Sequence, residues 1–361
     1  MIKTAPAVFA VGKNYQIMVP VTKPSLMWVK IGDKCYYDEL NGIMRSITTV
    51  HRITVPMEVL DEAKSYTVCE KVLIERKPYF PTSKETTEKT YRFRPVTKKT
   101  GIKAFHIADA HNTVAGPVSA AKAFGKMDFL IMNGDIPDHS GKIENFDTIY
   151  KIAAKITMGR FPIVFSRGNH DLRGFFAEKI AEYTPSENLN TYYTFRLGSV
   201  WGIILDCGED KPDSHEEYGG TVACHPFRER QTEFIKQVIE NKDTEYAEKG
   251  ITTKLVISHN PFTYLQNPPF DIEREIFGEW AKLLKENVKP DLMISGHIHG
   301  VYIKYEGEDF DHLGQPCPLV IGSDIKKDYF VGAGFTFVKN NIKVDIIDSL
   351  GQNLRTENIS K

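Results

Sequence analysis

Two patterns of apolar and polar residues meet near residue 100. From Tyr15 to Arg94 the chain runs in short alternating stretches, at 16–21, 25–31, 53–55, 65–75 and 90–94, with turn residues between them. Period-two alternation between frequent turns predicts the strands of an all-β sandwich. The stretch 81–101 is polar and rich in Lys, Thr and Glu, which predicts a solvated linker and an edge strand. Beyond Gly101 the pattern lengthens. Apolar strands at 102–108, 129–132, 162–165, 254–257 and 292–294 alternate with helical spacing at 117–124, 144–157, 228–239 and 272–285. Residues 191–196 and 200–205 pair across Leu197-Gly198-Ser199. The last stretches, 302–305, 318–321, 330–338 and 342–347, are again β. This pattern predicts a β domain over residues 1–98 followed by an α/β domain over 99–361.

Composition narrows the class of function. A length of 361 residues fits two domains, and 46 basic against 47 acidic side chains leave a formal charge of −1. A surface built throughout to grip nucleic acid or anionic lipid needs a positive excess, so neither nucleic acid nor membrane is expected as a partner. Residues 1–20 offer only a short apolar patch, too weak for a secretory signal, and the five scattered cysteines suit a reducing compartment, so a cytoplasmic location is expected. Within the β domain, Trp28 on an early strand and Tyr66 six positions after Leu60 resemble the buried Trp and the tyrosine corner of immunoglobulin and fibronectin type III sandwiches. That resemblance implies a buried Trp28 and a Tyr66 hydroxyl tied back to its own corner.

Candidate chemistry lies where the buried strands end. Asp109-Ala110-His111 follows 102–108, and Gly134-Asp135 with Asp138 follows 129–132. Gly168-Asn169-His170-Asp171 follows 162–165, His259 follows 254–257, and Gly296-His297-Ile298-His299 follows 292–294. Ligands of open α/β sheets bind beyond the carboxyl ends of the strands. Five of the eleven histidines fall at this one topological position, each beside a carboxylate, an amide or another imidazole. Carboxylate and imidazole donors without a thiolate suit iron, zinc or manganese, and a carboxylate is well made to bridge two cations.

The ordered set Asp-x-His, Gly-Asp-x-x-Asp, Gly-Asn-His-Asp, His and Gly-His-x-His resembles the calcineurin-like metallophosphoesterase family over residues 102 to 300. The resemblance implies a four-layer αββα core, here preceded by a β domain similar to that of purple acid phosphatases. It implies two transition-metal ions, one held by Asp109, His111, Asp135 and His299, the other by Asp135, Asn169, His259 and His297. A metal-activated hydroxide would attack the phosphorus of a small phosphate ester. His170 would be the general acid, its other ring nitrogen held by Asp138 or Asp171, and Arg173 would contact a phosphate oxygen. Asn112 and His139 are expected to line the site. Purple enzymes carry a tyrosine ligand where Asp138 stands and no histidine where His111 stands, so no phenolate is expected on the metals. Two other readings stay open: an inert metal-bound scaffold for protein partners, which should lack a ligand, and a nuclease, which the acidic stretch 209–217 would oppose if it lines the cleft. The irregular segments 208–226 and 260–271 are expected to wall the substrate. Monoester or diester preference and oligomeric state carry no signal in the residues.

Overall fold

Residues 1–326 and 329–361 are described by a computed structural model of the chain. The strands of the α/β domain alternate their side chains between two cores, which sets the layering. Ala104, Phe129, Ile131 and Val164 point to one core, and Phe105, Ile107, Leu130, Met132, Ile163 and Phe165 point to another. In the second half Ile204, Leu255, Ile257, Leu292 and Ile294 join the first core, whereas Ile203, Leu205, Val256 and Met293 face a third. The shared core is therefore the seam between two facing sheets, and helices cover both outer faces. Helices Ala115–Phe124 and Asp147–Thr157 cover one sheet, and Cys224–Glu240 and Arg274–Leu283 the other. This is the four-layer αββα architecture. Strand Leu319–Lys326 belongs to both sheets, pairing with Leu292–Ser295 at its start and with Tyr329–Phe337 at its end.

Ile102–Ile107, Phe129–Asn133 and Ile163–Ser166 run parallel in one sheet. Val200–Leu205, Thr253–Ser258 and Leu292–Ser295 run parallel in the other. In each set the carboxyl ends share one side, where the loops named above emerge.

Ala7–Val11 pairs in parallel with Ile163–Ser166 through Phe9 and Ile163, and Asn14–Pro20 and Val50–Pro56 extend the same sheet outward. Hydrogen bonding thus runs without a break between N-terminal strands and the α/β core. A separate sheet of Ser25–Ile31, Lys34–Tyr37, Ser65–Glu75 and Thr87–Arg92 packs against these strands through Met27, Val29, Ile31, Tyr66 and Val68. Thr87–Arg92, within the polar stretch, is that sheet's exposed edge.

Two details depart from the expected sandwich. Trp28 lies on the outer face, half-buried and stacked on Tyr37 at 6.4 Å, because alternation along Ser25–Ile31 gives the inner positions to Met27, Val29 and Ile31. The Tyr66 hydroxyl does not close its own corner. It donates to the Gly159 carbonyl at 2.8 Å, just after helix Asp147–Thr157, and so fastens the N-terminal unit to the core. Three elements carry no clear pattern in the sequence: Ala7–Val11, buried along its whole length and so without alternation, helix Met57–Ala63, and the polar final strand Asn353–Ser360. Replacing Tyr66 with Phe leaves a buried carbonyl unsatisfied and should lower unfolding stability by about 1–2 kcal/mol, read by urea denaturation.

Candidate metal centre

The loops beyond the strand ends are held in tight, unfavourable conformations. Asp109, His111, Asn112, Asp135, His297 and His299 all have positive φ, between 41° and 69°. Each such residue costs on the order of 1–3 kcal/mol and persists only where its surroundings fix it. Backbone bonds between loops do so: Asp109 N–H donates to the Gly134 carbonyl, His111 to Asp135 and Asn112 to Ile136, at 3.0–3.1 Å. Gly296-His297-Ile298-His299 is therefore not extended. Left-handed turns at both histidines, with Ile298 N–H on the Gly296 carbonyl, send the two rings to different neighbours. Gly168 is required by close approach, because a Cβ there would stand 2.2 Å from an Asp135 carboxylate oxygen.

Asp135 is buried at the centre. One oxygen accepts the His170 backbone N–H at 2.9 Å, and the other lies 3.1 Å from His259 Nε2 and 4.0 Å from His170 Nε2. Asp109, fully buried, accepts the His297 N–H at 3.1 Å and lies 3.4 Å from His299 Nε2 and 3.7 Å from His259 Nε2. His111 and His299 bring their Nε2 atoms to 3.1 Å. His297 Nδ1 stands 3.1 Å from Asn169 Oδ1. Donor atoms converge within 4.8 Å in three overlapping groups: Asp109, His111 and His299; His111, Asp135 and His170; and Asp135, His259 and His297. The seven residues read as metal ligands thus form one connected cluster, which Asn169 joins through His297.

These residues fit a pair of cations. His259 donates Nδ1–H to the Asn133 carbonyl at 2.7 Å, which leaves Nε2 buried, facing two carboxylates and without a hydrogen-bond partner. Burial alone would lower the His259 pKa, but Asp135 and Asp109 overcome it and raise it to about 10. A proton at that nitrogen stands where a cation would sit. Burial, helped by the His259 charge, drops His297 to about 4, so its imidazole is neutral and available as a donor.

The residues expected around His170 are arranged differently from the reading of the sequence. His170 Nδ1 lies 2.8 Å from the Asp138 backbone carbonyl and 4.0 Å from the Asp138 carboxylate, so the main chain orients the ring. The half-exposed Asp138 side chain is nearer to His111 Nδ1, at 3.3 Å. Asp171 turns away and accepts the Gly168 N–H at 2.7 Å, bracing the ligand loop. Burial, together with the nearby Asp135 charge, raises it to about 8. Arg173 spends its fork on Glu209 at 2.9–3.0 Å, with Asp210 and Glu217 at 3.4 Å, because the acidic stretch folds over it; its Nη1 lies 3.3 Å from His170 Nε2. His139 accepts the Gly141 N–H, and Asn112 accepts the Thr148 hydroxyl, so both brace loops.

Loop residues complete a cleft of about 330 Å³, in which Asp210, Gln266, Phe270 and Ile298 stand beside Asp135, Asn169, His170, His297 and His299. Both wall segments contribute. Asp210 directs one oxygen to Tyr218, Lys211 and Arg173 and the other to within 3.9 Å of His297 Nε2. The acidic stretch therefore reaches the cleft, partly neutralised by two cations. Sequence reading missed Asn133, whose carbonyl orients His259 and whose side-chain amide donates to the Ser258 and Ile294 carbonyls at 3.3 and 3.2 Å. A polar residue ending an apolar strand just before Gly134-Asp135 was the available signal.

Comparison with known proteins agrees with this fold. A family model described as calcineurin-like phosphoesterase matches residues 102–301. No curated protein sequence matches significantly. Among solved structures, the purple acid phosphatase PPD1 from yellow lupin (Lupinus luteus) seeds superposes with a TM-score of 0.64 at 14% identity, over 100% of this chain and 75% of that one. PhoD gives 0.57 at 11% identity, over 94% and 85%. A dimetal phosphatase from Danio rerio gives 0.50 at 11% identity, over 72% and 99%. No described helix is long and apolar enough to cross a membrane. Gly168→Ala, which pushes on Asp135, should keep the far-ultraviolet circular dichroism and weaken metal binding roughly ten- to a hundredfold in a calorimetric titration.

Proposed function

This chain belongs to the calcineurin-like phosphoesterase family and is a metal-dependent phosphoester hydrolase, and on that premise we propose that it hydrolyses small phosphate esters with two cations gathered about Asp135. Asp109, His111, Asp135 and His299 would hold one, and Asp135, Asn169, His259 and His297 the other, with iron, zinc or manganese suited to these donors. Two cations held there would supply positive charge for the phosphate oxygens and lower the pKa of a bound water. The observation that carries this reading is a buried carboxylate lying among imidazoles from several loops, one of which offers an orphaned nitrogen.

The remaining residues bind and orient. Asp135 positions His170 through its backbone N–H, and the Asp138 carbonyl accepts from Nδ1, a bond both protonation states of the ring can keep. His170 Nε2 then faces the cleft, where it would pass a proton to the leaving oxygen. Glu209 fixes the plane of Arg173 so that one guanidinium nitrogen abuts that same Nε2, which makes Arg173 a positioning residue. Asp210 at the cleft wall raises the cost of a substrate with further negative charge, which favours a small ester over a polynucleotide.

Asp135→Asn should lose metal from both positions, read by elemental analysis; a full complement of two would overturn the shared-carboxylate reading. His170→Ala should keep its metals and lose about 10²- to 10⁴-fold in turnover of an alkyl phosphate, with a smaller loss on p-nitrophenyl phosphate, whose leaving group needs no proton. An iron-loaded sample should show no tyrosinate charge-transfer band in its visible spectrum, because Asp138 stands where a tyrosine ligand would be.

A further inference from the structure

The wall of the cleft is poor in positive charge. Apart from the proposed ligands and His170 it consists of Asp210, Gln266, Phe270 and Ile298, and among the described residues no lysine or arginine lines it. Arg173 and Lys211 stand behind, and both are taken. Glu209 holds Arg173 at 2.9 Å with Glu217 at 3.4 Å, and a remaining guanidinium nitrogen abuts His170 Nε2 at 3.3 Å. Lys211 reaches Asp210 at 3.1 Å and Glu217 at 2.9 Å, and lies over the Phe270 ring, 5.0 Å from its centroid. Three carboxylates against these two cations leave one negative charge in excess, before the half-exposed Asp138 beside His170 is counted. Asp210 carries that excess to the cleft. One of its oxygens is met by Tyr218, Lys211 and Arg173, and the other stands 3.9 Å from His297 Nε2.

A phosphate ester bound here has a set number of oxygens to satisfy. A monoester dianion presents three non-ester oxygens. A diester presents two, with a single negative charge, and carries a second organic group in place of the third. Two cations about Asp135, the reading on which this inference rests, would meet two of the oxygens. A third charged oxygen would need a cationic donor from the wall. The wall offers instead the neutral amide of Gln266 and the carboxylate of Asp210. Phe270 and Ile298 suit an apolar ester group in that place. The Phe270 ring is fixed by Lys211 above it and by its own N–H, which donates to the Asn267 carbonyl at 3.0 Å. Beyond it a narrow recess of about 30 Å³ continues past Tyr264 and Leu265.

We propose that the cleft selects small phosphodiesters of single negative charge over phosphomonoesters. Asp210 opposes the extra charge of the monoester, and Phe270 with Ile298 receives the second, apolar ester group. Water gives its hydroxyl to phosphorus, one phosphorus–oxygen ester bond breaks, and the departing oxygen takes the His170 proton. The proton left by the water restores His170. The products are an alcohol and a monoester, whose second charge the wall disfavours, so the reaction ends after one ester bond.

The test uses the full chain loaded with metal. For bis-p-nitrophenyl phosphate kcat/KM should exceed that for p-nitrophenyl phosphate about tenfold or more, and Asp210→Asn should shrink the ratio about tenfold by gaining on the monoester. Calorimetric binding gives a second readout with two anions that have no ester bond to break. Diphenylphosphinate has one charge and two phenyl groups, and phenylphosphonate has two charges in mildly alkaline buffer. Diphenylphosphinate should bind more tightly, and Phe270→Ala should weaken it about tenfold. Asp210→Asn should tighten phenylphosphonate about tenfold. Wild-type preference for the monoester, or for phenylphosphonate, would overturn the proposal. An Asp210→Asn protein that loses metal and loses both esters alike would also sink it, because Asp210 would then only prop His297. A loaded protein that cleaves neither ester and binds neither anion would remove the two-cation reading itself, and this inference with it.

Discussion

A carboxylate taken out of water must be met by hydrogen-bond donors or positive charge, and the core of this molecule buries two such groups side by side. Asp109 and Asp135 are at most 1% exposed, and both face His259 Nε2. The backbone supplies part of the compensation through the His297 and His170 N–H groups. The rest comes from imidazole rings, and the left-handed turns bring those rings in. Strain at six residues is thus the local condition for placing two anions beneath a cluster of nitrogen donors, an arrangement that two cations would stabilise.

The cluster of candidate ligands was legible as a cluster because each member follows closely on an apolar strand, so strand prediction alone places it on the common rim. The layering came instead from the family resemblance, because strands such as Phe129–Asn133 and Leu292–Ser295 are apolar almost throughout and buried on both faces, so no alternation marks the inner side chains. What stayed hidden depends on residues far apart in the chain. The Arg173 fork closes on Glu209 36 positions later, and no local pattern links them. The Asp171 carboxylate bonds back to Gly168, which spacing cannot distinguish from a helix cap or a hold on His170. Tyr66 bonds a carbonyl 93 residues away, so its expected role in a self-contained corner gave way to one between units.

That tie is one of several. Arg94 N–H donates to the Arg160 carbonyl, the Gln16 amide donates to Ser186, and Arg52 reaches the Ala181 and Thr184 carbonyls. The last two lie in the segment that continues from the His170 loop. N-terminal strands that share a sheet with the core, and side chains that grip the chain leaving the His170 loop, make this unit a buttress of the site.

The strand Leu319–Lys326 is the line at which one sheet becomes the other, and the proposed ligands divide along it. Asp109, His111, Asp135 and Asn169 hang from the first sheet, whereas His259, His297 and His299 hang from the second. Sliding one layer past the other by a single residue is a displacement of about 3.3 Å, roughly the separation between these donor groups. A cation gripped from both sides would therefore act as a rivet through the sandwich. Chemistry at the rim and resistance to shear between the layers become one mechanical property of the molecule.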